Sequence, residues 1–233
     1  MLSRGELRIK ELSDISNEIG DATLRGDRKK IEHYNQLFES NFRLNDEMKA
    51  KLAKAYDDIF AAPREEHKKI LGVKFRSADY IQYLALNHNI QPTADEMVKK
   101  CRVFLQQYRY DYLFLCVEDA EVRKAFQNAF EEKLLFYDAP LASYSQRGDI
   151  VAMGSVAKEQ LGAYQSAESY LMEILLLSKC DSLLASGNSG VVCAIIANNN
   201  KYEHLSIVDC GKSRSTTHFS GDELRKLQEG LLR

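Results

Sequence analysis

The sequence lacks several features that would assign it to a functional class at once. Its net charge at neutral pH is only −2, so its composition does not indicate nucleic-acid binding. It has no apolar stretch long enough to cross a bilayer as a helix. The hydrophobic fraction is 45% and the charged fraction 28%, which is the balance of an ordinary globular protein. We therefore expect a globular protein with no nucleic-acid partner.

Three short motifs are also missing. The chain contains neither G-x-G-x-x-G nor G-x-x-x-x-G-K-[ST], which argues against dinucleotide-binding enzymes and P-loop NTPases. It contains no D-x-D motif, which agrees with chemistry that needs no metal. We therefore predict no cofactor and no metal site.

The cysteines form no C-x-x-C pair, and most of them lie in apolar runs. They are Cys101, Cys116, Cys180, Cys193 and Cys210. We interpret them as reduced, buried and structural, which suits the cytoplasm.

The chain changes texture near residue 68. Before that point it is charged and helical: residues 27–38 are one helical candidate, and Asn45 or Asp46 caps a second helix that runs to about Phe60, with Pro63 marking its end. We predict that residues 1–68 form a helical N-terminal segment and that residues 69–233 form a Rossmann-like domain.

Short apolar runs alternate with helical patterns from residue 69 onward. The predicted strands are 69–75, 112–117, 133–137, 182–185 and 205–208. The predicted helices are 93–108, 120–130, 158–179, one from about 191, and 222–232, with a polar loop at 139–154. This alternation predicts an α/β fold with a Rossmann-like parallel sheet and helices on both faces.

Polar residues follow three of these strands. Arg76 and Asp79 come after the first strand, Glu118 and Asp119 after the second, and the turn 186–190 after the fourth. Ligands of open α/β sheets bind outside the carboxyl ends of the strands, and the planar fork of an arginine suits phosphate oxygens. We therefore predict an anion site at this edge.

Each of these groups also has a plain structural interpretation. Arg76 can form a salt bridge with Asp79 or Glu118, Asp119 can cap the helix that follows it, and the turn 186–190 can be an ordinary connection from strand to helix. The ligand-binding interpretation is favoured only because all three groups would lie on one edge of one sheet.

Three blocks in this order resemble fucosyltransferase-like glycosyltransferases over about residues 45–210. Residues 72–80 (GVKFRSADY) resemble a donor-site motif that commonly reads G-V-H-x-R-x-x-D. Residues 112–119 (YLFLCVED) resemble the family's strand that ends in two acidic residues. Residues 173–190 (EILLLSKCDSLLASGNSG) resemble its helix–strand–turn block.

The resemblance implies the C-terminal donor-binding half of a GT-B glycosyltransferase. The implied donor is a GDP-sugar, with GDP-fucose expected, and the acceptor is a glycan or a lipid-linked sugar in surface polysaccharide synthesis. Such an enzyme acts in the cytoplasm or peripheral to the inner membrane.

The resemblance also implies roles for individual residues. Arg76 would neutralise the departing pyrophosphate, with Asp79 bracing it, and Glu173 would bind the guanine or its ribose. Ser189 and the neighbouring backbone amides would hold phosphate. The remaining substrate-binding candidates are Lys74, Asp119, Asn188 and Gly190.

The chain departs from the family pattern at two points. Lys74 stands where the motif usually has histidine, although a lysine can contact phosphate as a point charge. Family members usually carry an N-terminal acceptor-side domain, and only a short helical segment precedes the donor-like region here. We therefore expect the acceptor domain to be missing, with residues 1–68 as its remnant or a linker, and we assign no catalytic base. The alternative is therefore a truncated or degenerate, non-catalytic module that binds sugar nucleotides.

Overall fold

The computed structural model describes residues 27–77, 83–84, 86, 88–143, 153–187, 190–214 and 217–218 of the chain. The helices in these ranges are α1 (Arg28–Asn41), α2 (Asp46–Glu65), α3 (Ala94–Tyr108), α4 (Ala120–Phe130), α5 (Met153–Leu161), α6 (Ala163–Leu177) and α7 (Val191–Asn198). The strands are β1 (Ile70–Lys74), β2 (Tyr83–Leu84), β3 (Tyr112–Cys116), β4 (Leu134–Phe136), β5 (Ser182–Ser186), β6 (Leu205–Val208) and β7 (Thr217–His218).

Five strands form one parallel sheet in the order β4-β3-β1-β5-β6, and β2 pairs with β7 in a separate antiparallel ladder. The predicted Rossmann-like α/β fold is confirmed. The central strands β1 and β5 are neighbours, yet the helix after β1 and the helix after β5 pack on opposite faces of the sheet. This is a topological switch point, where a crevice opens at the carboxyl ends of the two strands.

Helices cover both faces of the sheet, because alternate strand residues point to opposite sides. One core contains Ile70 and Phe114 from the sheet, and α1, α2, α6 and α7 pack on it. The other contains Leu71 and Leu113, and α3 and α4 pack on it. The two N-terminal helices thus share a core with the sheet: Phe60 of α2 is fully buried, and its ring centroid lies 5.2 Å from that of Phe114.

The helices begin where the sequence predicts caps. Asn45 accepts a hydrogen bond from the amide of Met48 at the start of α2. Thr93 and Glu96 form a reciprocal capping box at the start of α3. The cap side chains satisfy amide groups that the first turn of a helix leaves without partners.

Two helix boundaries differ from the prediction. Pro63 does not end its helix, because α2 continues to Glu65; so close to the end, the missing N–H of proline costs only one helical hydrogen bond. The single helix predicted over 158–179 is two helices, α5 and α6, which break at Gly162 because its backbone has a φ of +88°.

The cysteine prediction is right for three of the five residues. Cys101, Cys116 and Cys180 are buried free thiols, whereas Cys193 is exposed and Cys210 is half-buried. The exposure of Cys193 follows from its place on the outer side of α7, where the apolar run continues past the buried face.

In the described part of the chain, no helix is long and apolar enough to cross a membrane. The predicted helix 222–232 lies outside the described residues.

Gly72 lies at the middle of β1, where the sheet meets α6 too closely for a side chain. A Cβ atom there would lie 2.8 Å from Leu177 Cδ1 and 3.1 Å from the carbonyl oxygen of Ser182. We expect Gly72→Ala to lower the free energy of unfolding by about 1–3 kcal/mol, because overpacking a filled core forces neighbours to move. Urea unfolding measures this change. The control is Gly154→Ala, where a Cβ meets nothing within 4 Å; an equal loss in both variants would contradict the prediction.

Candidate functional site

A cavity of about 400 Å³ opens at the carboxyl edge of the sheet. It lies between the ends of β1 and β3, the segment 140–142 and helices α5 and α6. The larger polar side chains in its lining are Arg76, Glu118, Lys158, Tyr170 and Glu173. Small residues of α5 and α6 form much of its wall: Gly154, Ala157, Ala163, Ser166, Ala167 and Ser169. A concave, largely apolar space with a few converging polar groups is typical of a small-molecule site.

Arg76 joins the ends of three strands. Its guanidinium forms an ion pair with Glu118, which follows β3. Its backbone N–H donates to the Ser186 hydroxyl at the end of β5 over 2.9 Å, and that hydroxyl also contacts the Arg76 carbonyl oxygen at 3.4 Å. The prediction that these strand ends meet at one edge is confirmed. The salt bridge considered for Arg76 is also present, on a guanidinium that lines the cavity.

Lys74 lies behind Glu118 and has no exposed surface. Its Nζ is 3.2 Å from Glu118 Oε1 and 5.0 Å from the centre of the Tyr170 ring. Burial alone would lower the pKa of Lys74, but the negative groups around it, the Glu118 carboxylate among them, raise the pKa overall. The ammonium therefore stays charged. A direct contact between Lys74 and phosphate stays a prediction.

Glu118 is held as a carboxylate between two cations. Burial by itself would raise its pKa, but the charges of Lys74 and Arg76 and their hydrogen bonds bring the pKa below its ordinary value. Each carboxylate oxygen accepts a hydrogen bond from one cation: Oε1 accepts from Lys74, and Oε2 accepts from Arg76. Glu118 therefore fixes the direction of the Arg76 guanidinium at the cavity edge.

Glu173 also lines the cavity and is only 2% exposed. The Cys116 thiol donates to its Oε2 over 3.3 Å, and its Oε1 lies 3.5 Å from the Arg123 guanidinium without accepting a hydrogen bond from any described residue. Burial raises the pKa of Glu173 to about 7, against the opposing effects of Lys74, the Cys116 hydrogen bond and Arg123. Near neutral pH this carboxyl group exchanges between an acceptor-only form and a protonated form.

Asp119 has the structural role that was considered for it. Its carboxylate accepts from the amide of Glu121 over 2.9 Å and caps α4. It is 3% exposed, and burial raises its pKa to about 6. A contact between Asp119 and substrate stays a prediction.

Gly190 begins α7 with a φ of +74° and carries no side-chain cap. A Cβ there would lie 2.5 Å from the Tyr170 hydroxyl, so only glycine lets this turn approach α6 as closely as it does. Gly190 thus lies beside the cavity wall that Tyr170 provides. The other candidates in these loops, Asp79, Asn188 and Ser189, lie outside the described residues.

Tyr170 lines the cavity and Arg123 forms an ion pair with Glu173, although no sequence motif points to either residue. Tyr170 lies three residues before Glu173 on α6, a spacing that puts both side chains on one face of a helix. Arg123 shares the buried stripe of α4 with Phe126 and Phe130. A charged residue at helical spacing within an apolar stripe is the one sequence signal that could have identified Arg123.

Within the described ranges, no group of three or more His, Cys, Asp or Glu side chains is arranged to hold a metal ion. The chain matches no protein-family model, and a search of the curated proteins finds no significant match. The resemblance to fucosyltransferase-like enzymes therefore depends on the three sequence blocks alone.

Proposed function

We propose that this chain binds a GDP-sugar, with GDP-fucose as the expected donor, and acts as the donor side of a metal-independent glycosyltransferase. One observation carries the proposal. A cavity at the carboxyl edge of a Rossmann-like sheet is lined by both the Arg76 guanidinium and the buried Glu173 carboxyl group. These two groups match the two chemically different ends of a nucleoside diphosphate.

The Arg76 guanidinium suits the pyrophosphate. A guanidinium offers two parallel donors to phosphate oxygens, and charge-assisted pairs of this kind are the strong ones. When the sugar leaves, negative charge grows on the oxygen that bridges it to GDP, and a cation already fixed in place stabilises that charge. The ion pair with Glu118 supplies the fixing, since it holds the guanidinium before any ligand arrives.

The Glu173 carboxyl group suits guanine. The guanine edge presents adjacent N–H donors, and an ionised carboxylate is an acceptor for both. Adenine and uracil do not offer this pair of donors in the same arrangement. The small side chains of α5 and α6 leave room for a flat ring beside this carboxylate, so the base would be held between apolar walls with Glu173 reading its edge.

A non-catalytic sugar-nucleotide-binding module is the second candidate. The Arg76–Glu118–Lys74 cluster favours it in one respect, because a buried ion-pair network also has a purely structural use at a sheet edge. The two candidates differ in one measurement. GDP-sugar hydrolysis or transfer above the background rate supports the enzyme, whereas GDP binding with neither activity supports the module.

Nucleotide-dependent thermal stability tests the shared part of both candidates. A ligand at 100 times its Kd stabilises the folded state by about 2.7 kcal/mol, which raises the Tm of a domain of this size by roughly 5–10 °C. We expect GDP to produce such a shift, and UDP and ADP at equal concentration to produce a much smaller one. If none of the three nucleotides raises the Tm, the proposed function is wrong.

A further inference from the structure

Arg123 connects three parts of the structure next to Glu173, which lines the cavity. From α4, its guanidinium donates to the carbonyl oxygens of Ala139 over 3.0 Å and Tyr137 over 3.2 Å. The same guanidinium lies 4.9 Å from the centre of the Phe136 ring. The side chain is almost fully buried. Arg123 thus anchors the segment that leaves β4 just before residues 140–142, which line the cavity.

Arg123 also faces Glu173. The distance of 3.5 Å between its Nη2 atom and Glu173 Oε1 makes an ion pair without a hydrogen bond. The guanidinium therefore acts on Glu173 mainly through its charge, while Nη1 and Nη2 donate to the two carbonyl oxygens. At this separation in a buried site, an opposite charge favours the ionised form of a carboxyl group.

Several other groups influence the ionisation of Glu173. Lys74 approaches from β1, Cys116 from β3 and Glu118 from the segment after β3. Two residues after β4 also take part: Tyr137 interacts electrostatically with Glu173, and Asp138 interacts electrostatically with Arg123. Lys74 lowers the pKa of Glu173 more than Arg123 does, but Lys74 has Glu118 as its direct carboxylate partner at 3.2 Å. Arg123 is the cation whose ion pair with Glu173, at 3.5 Å, is described.

We propose that Arg123 is a positioning residue of the ligand site, which keeps the Glu173 carboxylate ready to accept hydrogen bonds and holds the adjoining cavity wall in place. The inference depends on the proposed function for the identity of the ligand. Arg123 itself does not line the cavity, so its effect on binding passes through Glu173 and through the segment 137–139.

The proposal predicts a change in the pH dependence of binding. Burial raises the pKa of Glu173 to about 7, so at neutral pH part of the protein carries the protonated, binding-incompetent form. Removing the Arg123 charge raises this pKa further, by about one unit or more. Binding is then several-fold weaker at neutral pH and recovers when the pH is high enough to ionise Glu173 again.

The test compares Arg123→Met and Arg123→Lys with the control Arg102→Met. Arg102 is a matched arginine: it also donates to a helix carbonyl oxygen, that of Ala129, and also lies against an aromatic ring, that of Phe130. It is exposed and does not line the cavity. Arg123→Lys keeps the charge and loses the planar fork, so it serves as the second variant if Arg123→Met fails to fold.

The binding measurement uses guanosine as the probe, because it has no phosphate group whose own titration would obscure that of Glu173. We expect Arg123→Met to bind guanosine about fivefold more weakly than wild type near pH 7, and within threefold of wild type near pH 8.5. Arg123→Lys keeps the wild-type midpoint to within about half a unit, and Arg102→Met behaves as wild type. A loss that is equal at every pH, or no loss, overturns the proposal.

A ligand-free measurement separates this inference from the proposed function. The side-chain carboxyl carbon of Glu173, assigned in ¹³C-labelled protein with the help of Glu173→Gln, reports its titration directly. We expect its midpoint to rise by about one pH unit in Arg123→Met and to stay in place in Arg102→Met. An unchanged midpoint overturns the inference. Failure of every guanine compound to bind wild type overturns the proposed function instead.

Discussion

Replacing Arg76 with alanine is expected to abolish the stabilisation by GDP while leaving the fold intact. The Arg76 side chain is only 13% exposed, and its guanidinium lines the cavity. Each hydrogen bond to a charged group contributes about 1.5–3 kcal/mol, so losing a two-pronged contact with phosphate lowers affinity on the order of 100-fold or more. Isothermal titration calorimetry with GDP measures the loss.

The fold should tolerate this change because Glu118 keeps a partner. After the loss of Arg76, its carboxylate still contacts Lys74 at 3.2 Å. Arg76→Lys is the graded variant: it keeps a positive charge and loses the fork, so it should bind GDP with intermediate affinity.

Arg64→Ala is the matched control. Arg64 forms a comparable ion pair with Asp181, which precedes β5 and so lies at the opposite edge of the sheet from the cavity. This control should lower the Tm of the ligand-free protein and leave GDP affinity unchanged. Equal GDP affinity in Arg76→Ala and wild type would show that Arg76 is only a structural ion-pair partner.

The sequence was sufficient to predict the sheet and the meeting of its polar strand ends at one edge, because both depend on local patterns. Apolar runs separated by helical periods predict a parallel sheet, and parallel strands bring their carboxyl ends to one edge. Arg76, Glu118 and Ser186 each follow or end a predicted strand, and the structure joins all three. No contact between distant parts of the chain had to be guessed for this step.

The contacts around Glu173 could not be predicted in the same way. Glu173 contacts Cys116, 57 residues away along the chain, and its ion pair with Arg123 spans two helices on different faces of the sheet. Such contacts depend on helix orientation, which periodicity does not supply. The burial of Lys74 was missed for a related reason: a lysine at a strand end is usually exposed, and here Glu118 and Tyr170 enclose it.

The second large effect is expected when Glu118 is replaced with alanine. Lys74 is fully buried, and Glu118 is the carboxylate it contacts directly. Removing one partner of a buried ion pair leaves an uncompensated charge and costs about 3–5 kcal/mol. We therefore expect the free energy of unfolding of Glu118→Ala to fall by about this amount, as measured by urea unfolding at neutral pH.

The control for Glu118→Ala is Glu203→Ala. Glu203 also pairs with a lysine, Lys69, at 2.8 Å, but 46–48% of each side chain is exposed. A solvated pair of this kind contributes about 0–1 kcal/mol, so Glu203→Ala should be nearly neutral. Similar losses in the two variants would show that the cluster behind Arg76 is no more buried in solution than a surface pair.

Replacing the lysine of the pair should have a much smaller effect than replacing the glutamate. Lys74→Met puts an apolar side chain of similar length against the Tyr170 ring and leaves Glu118 paired with Arg76. Because Glu118 keeps Arg76 as its partner, this variant leaves no unpaired charge at Glu118, and we expect a change within about 1.5 kcal/mol of wild type. A loss as large as that of Glu118→Ala would mean that the ammonium itself stabilises the sheet edge.

Acid unfolding gives the pair an independent signature. Because Lys74 and Arg76 hold the pKa of Glu118 below its ordinary value, this carboxylate contributes stability above its unfolded-state pKa of about 4.3, and the contribution is lost as the pH falls through the lower folded-state pKa. The difference in unfolding free energy between wild type and Glu118→Ala should therefore shrink below about pH 4. Lys74→Met removes one of the two cations that lower this pKa, so its own acid transition should begin at a higher pH than that of wild type. Together, a large neutral-pH loss in Glu118→Ala and an earlier acid transition in Lys74→Met would show that Glu118 is the carboxylate that compensates the buried Lys74 ammonium.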